Sequence, residues 1–262
     1  MNRRLVAICH GLLLLCLSAA ADPEPAALPA SELAGKMSAK QDGTSYIRLR
    51  MEAPAGAKDA LQLQIKSRVS RAAADLVYQV LFPKERKGEA VLLHREGGRM
   101  SGTLFTPPAT LRTLGPAQLD EPLFGGDLSY EDVIDNFLTW DQQAIVGTEI
   151  IDRTNCQILE SKPGKGHRSS YSSVRTWVDP RRFVPLRIEK YGEGGRLIRR
   201  INVTRILLDG GDSLPVNLSV QGPRGTTTEL DGSRLKRGVP FADAEFTPEG
   251  LKQLTAPRAA PE

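Results

Sequence analysis

The side chains that could do chemistry in this chain are few, and their spacing gives none of them a partner. Apart from His10 near the start, there are two histidines, His94 and His167. Either could ligate a metal or act as a base, but neither has a Cys, His or carboxylate at metal-ligand spacing. His94 follows Val91-Leu92-Leu93 and reads as a strand residue at a rim; His167, after Pro163-Gly164-Lys165-Gly166, reads as an exposed loop. The pair Glu131-Asp132 is accounted for by the favourable charge at a helix start. Cys156 sits in Thr154-Asn155-Cys156-Gln157-Ile158-Leu159, a strand-like run, and reads as a buried, inert thiol. Asn202-Val203-Thr204 and Asn217-Leu218-Ser219 match the glycosylation pattern but fall inside predicted strands. No Gly-x-Ser-x-Gly elbow, phosphate loop or dinucleotide fingerprint appears. These residues point to a protein that is not an enzyme and needs neither cofactor nor metal.

The elements around them carry a clearer message. In Tyr46–Glu52, Ile47, Leu49 and Met51 share one face while Arg48, Arg50 and Glu52 share the other. Leu61, Leu63 and Ile65 repeat the pattern, and Leu214, Val216, Leu218 and Val220 extend it over eight residues. Period-two alternation marks strands wet on one side. Further strands are predicted at Leu76–Phe82, Ala90–His94, Met100–Phe105, Ile145–Asp152, Gln157–Ser161, Val174–Val178, Pro185–Tyr191, Leu197–Leu208 and Thr226–Leu230. Glycine-bearing turns at Glu96–Arg99, Gly192–Gly195, Asp209–Asp212 and Gly222–Gly225 join neighbours as antiparallel hairpins.

Helices are sparse. Ser31 begins a short one through Met37. Ser129 caps a second, with Asp132 three residues on and Val133, Ile134, Phe137 and Leu138 as its apolar stripe. Thr247-Pro248 starts a helical turn near the end. The sum is an antiparallel sheet of about eleven strands in meander order. A sheet that wide curls, and these helices are too short to cover its apolar concave face. The ten residues Ile47, Leu49, Met51, Leu61, Leu63, Ile65, Leu214, Val216, Leu218 and Val220 are the candidate wall of an apolar binding space. Phe124, Tyr130, Phe137 and Trp140 read as anchors of the helix to the sheet.

The first residues bear on compartment. Met1-Asn2-Arg3-Arg4 is cationic, Leu5–Leu17 almost wholly apolar, and Ser18-Ala19-Ala20-Ala21 small. That is the layout of a secretory signal cleaved after Ala21. The apolar run falls short of the ~20 residues of a spanning helix, and Leu15 before Cys16 does not suit a lipoprotein signal. Losing Arg3 and Arg4 with the signal takes the formal charge from +4 to +2, which makes no case for nucleic acid. Cys9 and Cys16 depart too, so the mature chain has one cysteine and no internal disulfide. The expected organisation is a signal peptide (1–21), a flexible leader with a short helix (22–36), one β domain (37–255) and a disordered tail (256–262).

With these features in place, several segments are recognisable together. Leu123–Asp132 resembles a segment of bacterial outer-membrane lipoprotein-sorting proteins, the broad family of LolA-like periplasmic carriers. Trp177-Val178-Asp179, Pro185–Tyr191 and Gly194-Gly195-Arg196-Leu197 resemble that family's strand-turn-strand pattern, with Gly192 where Asp usually follows the tyrosine. Val239-Pro240-Phe241 and Glu245–Leu251 are similar as well, so the resemblance spans roughly Met37 to Leu254. It implies an incomplete, strongly curved β-barrel closed on one side by helices, with an apolar interior that holds acyl chains. The function so implied is that of a monomeric periplasmic carrier of lipid or lipoprotein acyl chains. The alternative is a non-catalytic lipid-sensing or accessory domain docking on an inner-membrane lipid exporter. No residue governing cargo handling in that family can be carried over position by position.

Overall fold

In the computed structural model, which describes residues 27–53 and 60–253, the alternating runs pair with each other in register. Ile47, Leu49 and Met51 of β1 (Gly43–Glu52) face Ile65, Leu63 and Leu61 of β2 (Leu61–Val69). The sheet continues through β3 (Ala73–Phe82), β4 (Ala90–Glu96), β5 (Arg99–Thr106) and β6 (Thr110–Leu114). A second meander comprises β7 (Gln142–Ile151), β8 (Thr154–Lys162), β9 (Ser173–Asp179), β10 (Val184–Tyr191), β11 (Leu197–Asp209), β12 (Asp212–Gln221) and β13 (Thr227–Arg237). Pairing of β1 with β13 joins the two meanders, giving the antiparallel order β6-β5-β4-β3-β2-β1-β13-β12-β11-β10-β9-β8-β7. The sheet is curved and open, a LolA-like incomplete barrel with few short helices. Its curvature is visible in the packing, because Leu114 of β6 and Ile201 of β11 belong to one apolar cluster.

The topology also explains what sits on the concave face. The chain leaves the sheet at one open edge, β6, and re-enters at the other, β7. The connecting residues 115–141 therefore run across the hollow of the sheet. They carry helix α2 (Tyr130–Ile134) and bury Leu119, Leu123, Phe124, Leu128, Tyr130 and Ile134 against it. Helix α1 (Ala30–Ala39) packs Leu33, Ala34 and Met37 against Leu138, Leu159 and Val178. The convex side is covered locally: Phe241, Phe246 and Leu251 pack on Val77, Ala90, Leu92 and Phe105.

Several expectations need correction. The sheet has thirteen strands rather than about eleven; β6 went unpredicted because four of its five residues are exposed and show no apolar face. Helix α1 extends beyond Ser31–Met37 at both ends, and Pro29, not Ser31, precedes it. Helix α2 stops after five residues, with Asp135 extended at φ −71°, ψ 139°. The Ile134 carbonyl at its end accepts from Arg95 Nε (3.2 Å), and Asn136 Nδ2 turns to Ser38 Oγ (3.2 Å). Ile134 and Leu138 of the stripe are buried, in two different clusters, and Val133 and Phe137 are half-buried. Near the end, the helical turn is Gly250–Lys252, with Thr247 Oγ1 accepting from Gly250 N at 3.1 Å. The expected signal, its cleavage after Ala21 and the tail from 256 lie outside the described residues.

Candidate functional site

Where the crossover does not fill the concave face, a cavity of about 360 Å³ remains. Its wall comes from Ile47, Leu49 and Met51 on β1, Leu63 and Ile65 on β2, and Tyr78 on β3. Val216 and Leu218 on β12 and Leu230 and Leu235 on β13 complete the sheet side. Leu123, Leu128 and Val133 of the crossover form the lid. At the rim, Arg205, Leu207, Pro215, Ser233 and Arg234 line it and are exposed. The volume falls within the ~300–1,000 Å³ of small-molecule sites. Burial pushes the Tyr78 phenol's pKa further up, so this wall residue stays in its neutral form.

Seven of the ten predicted wall residues line this space: Ile47, Leu49, Met51, Leu63, Ile65, Val216 and Leu218. Three do not. Leu61 and Val220 are packed into the cluster under the crossover, and half-buried Leu214 lies opposite Leu207 in the β11–β12 ladder. Sequence reasoning missed Leu235 because the β1–β13 ladder shifts register between Arg48 and Leu49, breaking the alternation. Leu123 and Leu128 were in view as a family-like segment, without any sign that they face the hollow. Phe124 and Tyr130 pack into the concave cluster, while Phe137 and Trp140 pack with Tyr171 and Val174. None of these four aromatics lines the cavity.

The lid is fixed by polar contacts at two places. Asp127, itself buried, accepts from Thr228 Oγ1 (2.9 Å) and Thr226 Oγ1 (2.5 Å) on β13 and the turn before it. Gly222 makes room for this, since a Cβ there would lie 2.1 Å from Asp127 Oδ1. The second place is a buried ionic cluster around Asp132, whose side chain is fully enclosed. Its carboxylate meets Lys190 Nζ (2.9 Å) on β10, Arg199 on β11 and the Tyr171 hydroxyl (2.8 Å). It also accepts from Ser129 N (2.6 Å) and Ser129 Oγ (2.8 Å), closing a capping box on α2. Burial alone would raise this carboxyl's pKa; Lys190 and Arg199 hold it below the usual range. Lys190 in turn lies over the rings of Tyr171 (4.9 Å) and Phe137 (5.6 Å). Adjacent Glu131 accepts from Ser169 Oγ (2.6 Å) and Ser170 N (2.9 Å), which straps the β8–β9 loop across α2. Glu131-Asp132 thus does more than complement a helix dipole.

The remaining chemical candidates fall elsewhere. His94 is exposed on β4 and paired with Asp75 (2.6 Å). His167 is not on an exposed loop as expected: it is half-buried, edge-on to Trp140 (5.4 Å), with Nε2 3.5 Å from buried Asp135. Cys156 is fully buried, and burial pushes its thiol up to about 11. Asn202 and Asn217 lie within β11 and β12. Among the described residues no three His, Cys, Asp or Glu side chains are placed to hold a metal ion. Nor is any helix among them long and apolar enough to cross a membrane.

An open, curled antiparallel sheet with a helical crossover over a hollow apolar face is the architecture of the LolA-like class. Residues 74–253 match a family model described as "Uncharacterized protein", and the chain belongs to that family. No curated protein matches it. Among solved structures, a DUF1329 family protein from Desulfovibrio piger superposes with a TM-score of 0.78 at 23% identity, over 85% of this chain and 97% of that one. A putative outer membrane lipoprotein-sorting protein domain from Vibrio parahaemolyticus gives 0.77 at 20%, over 86% and 98%. A LolA superfamily protein from Nitrosomonas europaea gives 0.67 at 22%, over 86% and 100%. The likeness to these three is one of fold.

Proposed function

We propose that this protein is an exported, non-catalytic binding protein that sequesters an acyl chain of a lipid or lipoprotein in the cavity between sheet and crossover. The observation that carries the reading is the wall itself: aliphatic side chains from five strands and the lid converge on a space without a buried charge. Such a wall suits a ligand recognised by apolar area alone. Burying methylenes is favourable by ~0.8 kcal/mol each, so a chain of about a dozen contributes on the order of 10 kcal/mol before association costs. The signal-like start and the fold shared with a lipoprotein-sorting domain support work in the periplasm on such cargo. The carrier cycle is reversible sequestration, with the chain entering at the rim by Leu207 and Pro215.

The test is mass spectrometry of the protein gently purified from a periplasmic fraction, together with titration of a fluorescent fatty acid. Co-purifying acylated species and saturable probe binding are the expected results. Protein that carries no lipid and binds no acyl probe overturns the proposal.

A further inference from the structure

The hairpin between β11 and β12 presents two adjacent leucines to solvent beside the cavity rim. Leu207 is 44% exposed and also lines the cavity; Leu208 is 73% exposed at the edge of the turn Asp209–Asp212. Ile206, on the other side of the strand from Leu207, is half-buried against the cluster of Cys156, Trp177, Val184 and Leu186. Leu207 faces the cavity and Leu208, the next residue of the strand, faces the opposite side, so the end of the hairpin carries an exposed leucine on each face beside the rim.

Charge accompanies it. Arg205 and Arg234 stand on the rim, and Arg48 lies directly opposite Arg234 in the β1–β13 ladder. Lys236, two residues beyond Arg234, is exposed as well. None of these four cations has an ion-pair partner among the described residues. The neighbouring carboxylates are otherwise engaged: Asp212 pairs with Lys40 (3.0 Å) and Arg237 (2.8 Å), and Asp231 accepts from Asn217 (2.7 Å). Asp209, exposed at the other side of the turn, is the tip's second carboxylate. Like charges facing each other across a ladder destabilise it unless an anion lies between them.

We infer that this hairpin and its cationic margin dock the cavity rim onto an anionic phospholipid bilayer, with Leu208 inserted among the acyl chains. An apolar tip with basic residues around it is the composition of an interfacial membrane anchor. Docking there gives an acyl chain a route from bilayer to cavity along Leu207 without exposing its methylenes to water. The inference rests on the carrier reading for its purpose, though not for its geometry.

The test is flotation of the full mature protein with vesicles of phosphatidylethanolamine and phosphatidylglycerol, beside vesicles of phosphatidylcholine alone. Binding to the anionic vesicles that weakens with salt is expected, with little binding to the neutral ones. Leu208→Glu should reduce it about tenfold, and Arg48→Gln or Lys236→Gln about fivefold each. Leu208 is outside the cavity wall, so L208E should retain fatty-acid binding, which also shows that it is folded; Leu208→Ser serves if it is not. Wild-type protein that ignores anionic vesicles, or leucine variants that float as well as wild type, overturns the inference. Absent fatty-acid binding in wild type instead overturns the carrier reading, and the flotation result still decides the docking.

Discussion

The crossover lies over two regions of the concave face, one on β10 and β11 and one on β1, β2, β12 and β13, and they are held by opposite means. Around Asp132 the crossover is pinned by charge: one enclosed carboxylate, two cations and a tyrosine from β10, β11 and the β8–β9 loop. Around Val216 and Leu218 the same face meets only the lid's leucines and empty volume. Charge buried in this way has one low-energy geometry, whereas apolar walls accept many contents at similar energy. The difference teaches that the lid is held by enclosed polar anchors at Asp127 and Asp132, while the surface it presents to the hollow is apolar and can accept a guest.

Removing the anchor is the largest expected perturbation. Asp132→Ala leaves Lys190 and Arg199 buried without their anion, a loss of about 3–5 kcal/mol, read from the urea midpoint. In wild type the carboxyl's folded pKa is depressed, so its stabilisation is present above the ordinary carboxylate range. It is lost as pH falls through the lower folded value, and D132A should lack that acid-sensitive step. A variant as stable as wild type would show the two halves to be held alike.

How much of this was legible in the sequence follows from which surfaces are wet. β1, β2 and β12 could be read with the right inward residues because apolar and polar positions alternate there. Ala90-Val91-Leu92-Leu93 shows no alternation because both faces are covered, Val91 and Leu93 by the concave cluster and Ala90 and Leu92 by Phe246 and Leu251. The capping box at Ser129 was legible from its spacing; the tertiary demand ending α2 after Ile134 was not, because Arg95 and Ser38 are distant in sequence. The ionic cluster was hidden for the same reason. Lys190 and Arg199 look like ordinary strand charges until β10 and β11 are set beneath α2.

A matched pair of substitutions sharpens the contrast along one strand. Val216 and Val220 lie on the same face of β12, the first on the cavity and the second fully buried in the packed cluster. Val220→Phe must displace its neighbours and should cost about 1–3 kcal/mol. Val216→Phe grows into existing space and should cost less than about 1 kcal/mol, while lowering fatty-acid affinity by filling the cavity. Denaturant midpoints of the two variants, with probe titration of V216F, give the comparison. Equal destabilisation would mean the hollow half is packed in solution, and the carrier proposal would lose its cavity.

The smallest effect concerns the strap that crosses α2. His167 packs against Trp140, and its imidazole faces Asp135, with Glu131 and Asp141 near enough to act on it. The Asp135 carboxylate, 3.5 Å from Nε2, raises its pKa above the usual histidine value, outweighing the opposing effect of burial. A raised folded pKa means the contribution is complete below the unfolded value of about 6.5 and fades as pH climbs through the folded one. With the ring partly reached by solvent, the whole effect should stay below about 1 kcal/mol. His167→Gln should remove that slope of stability, which lies above the ordinary histidine pKa, while leaving the acid limb set by Asp132 intact. Identical pH profiles for H167Q and wild type would assign the strap's hold to its serine and Tyr171 hydrogen bonds without His167.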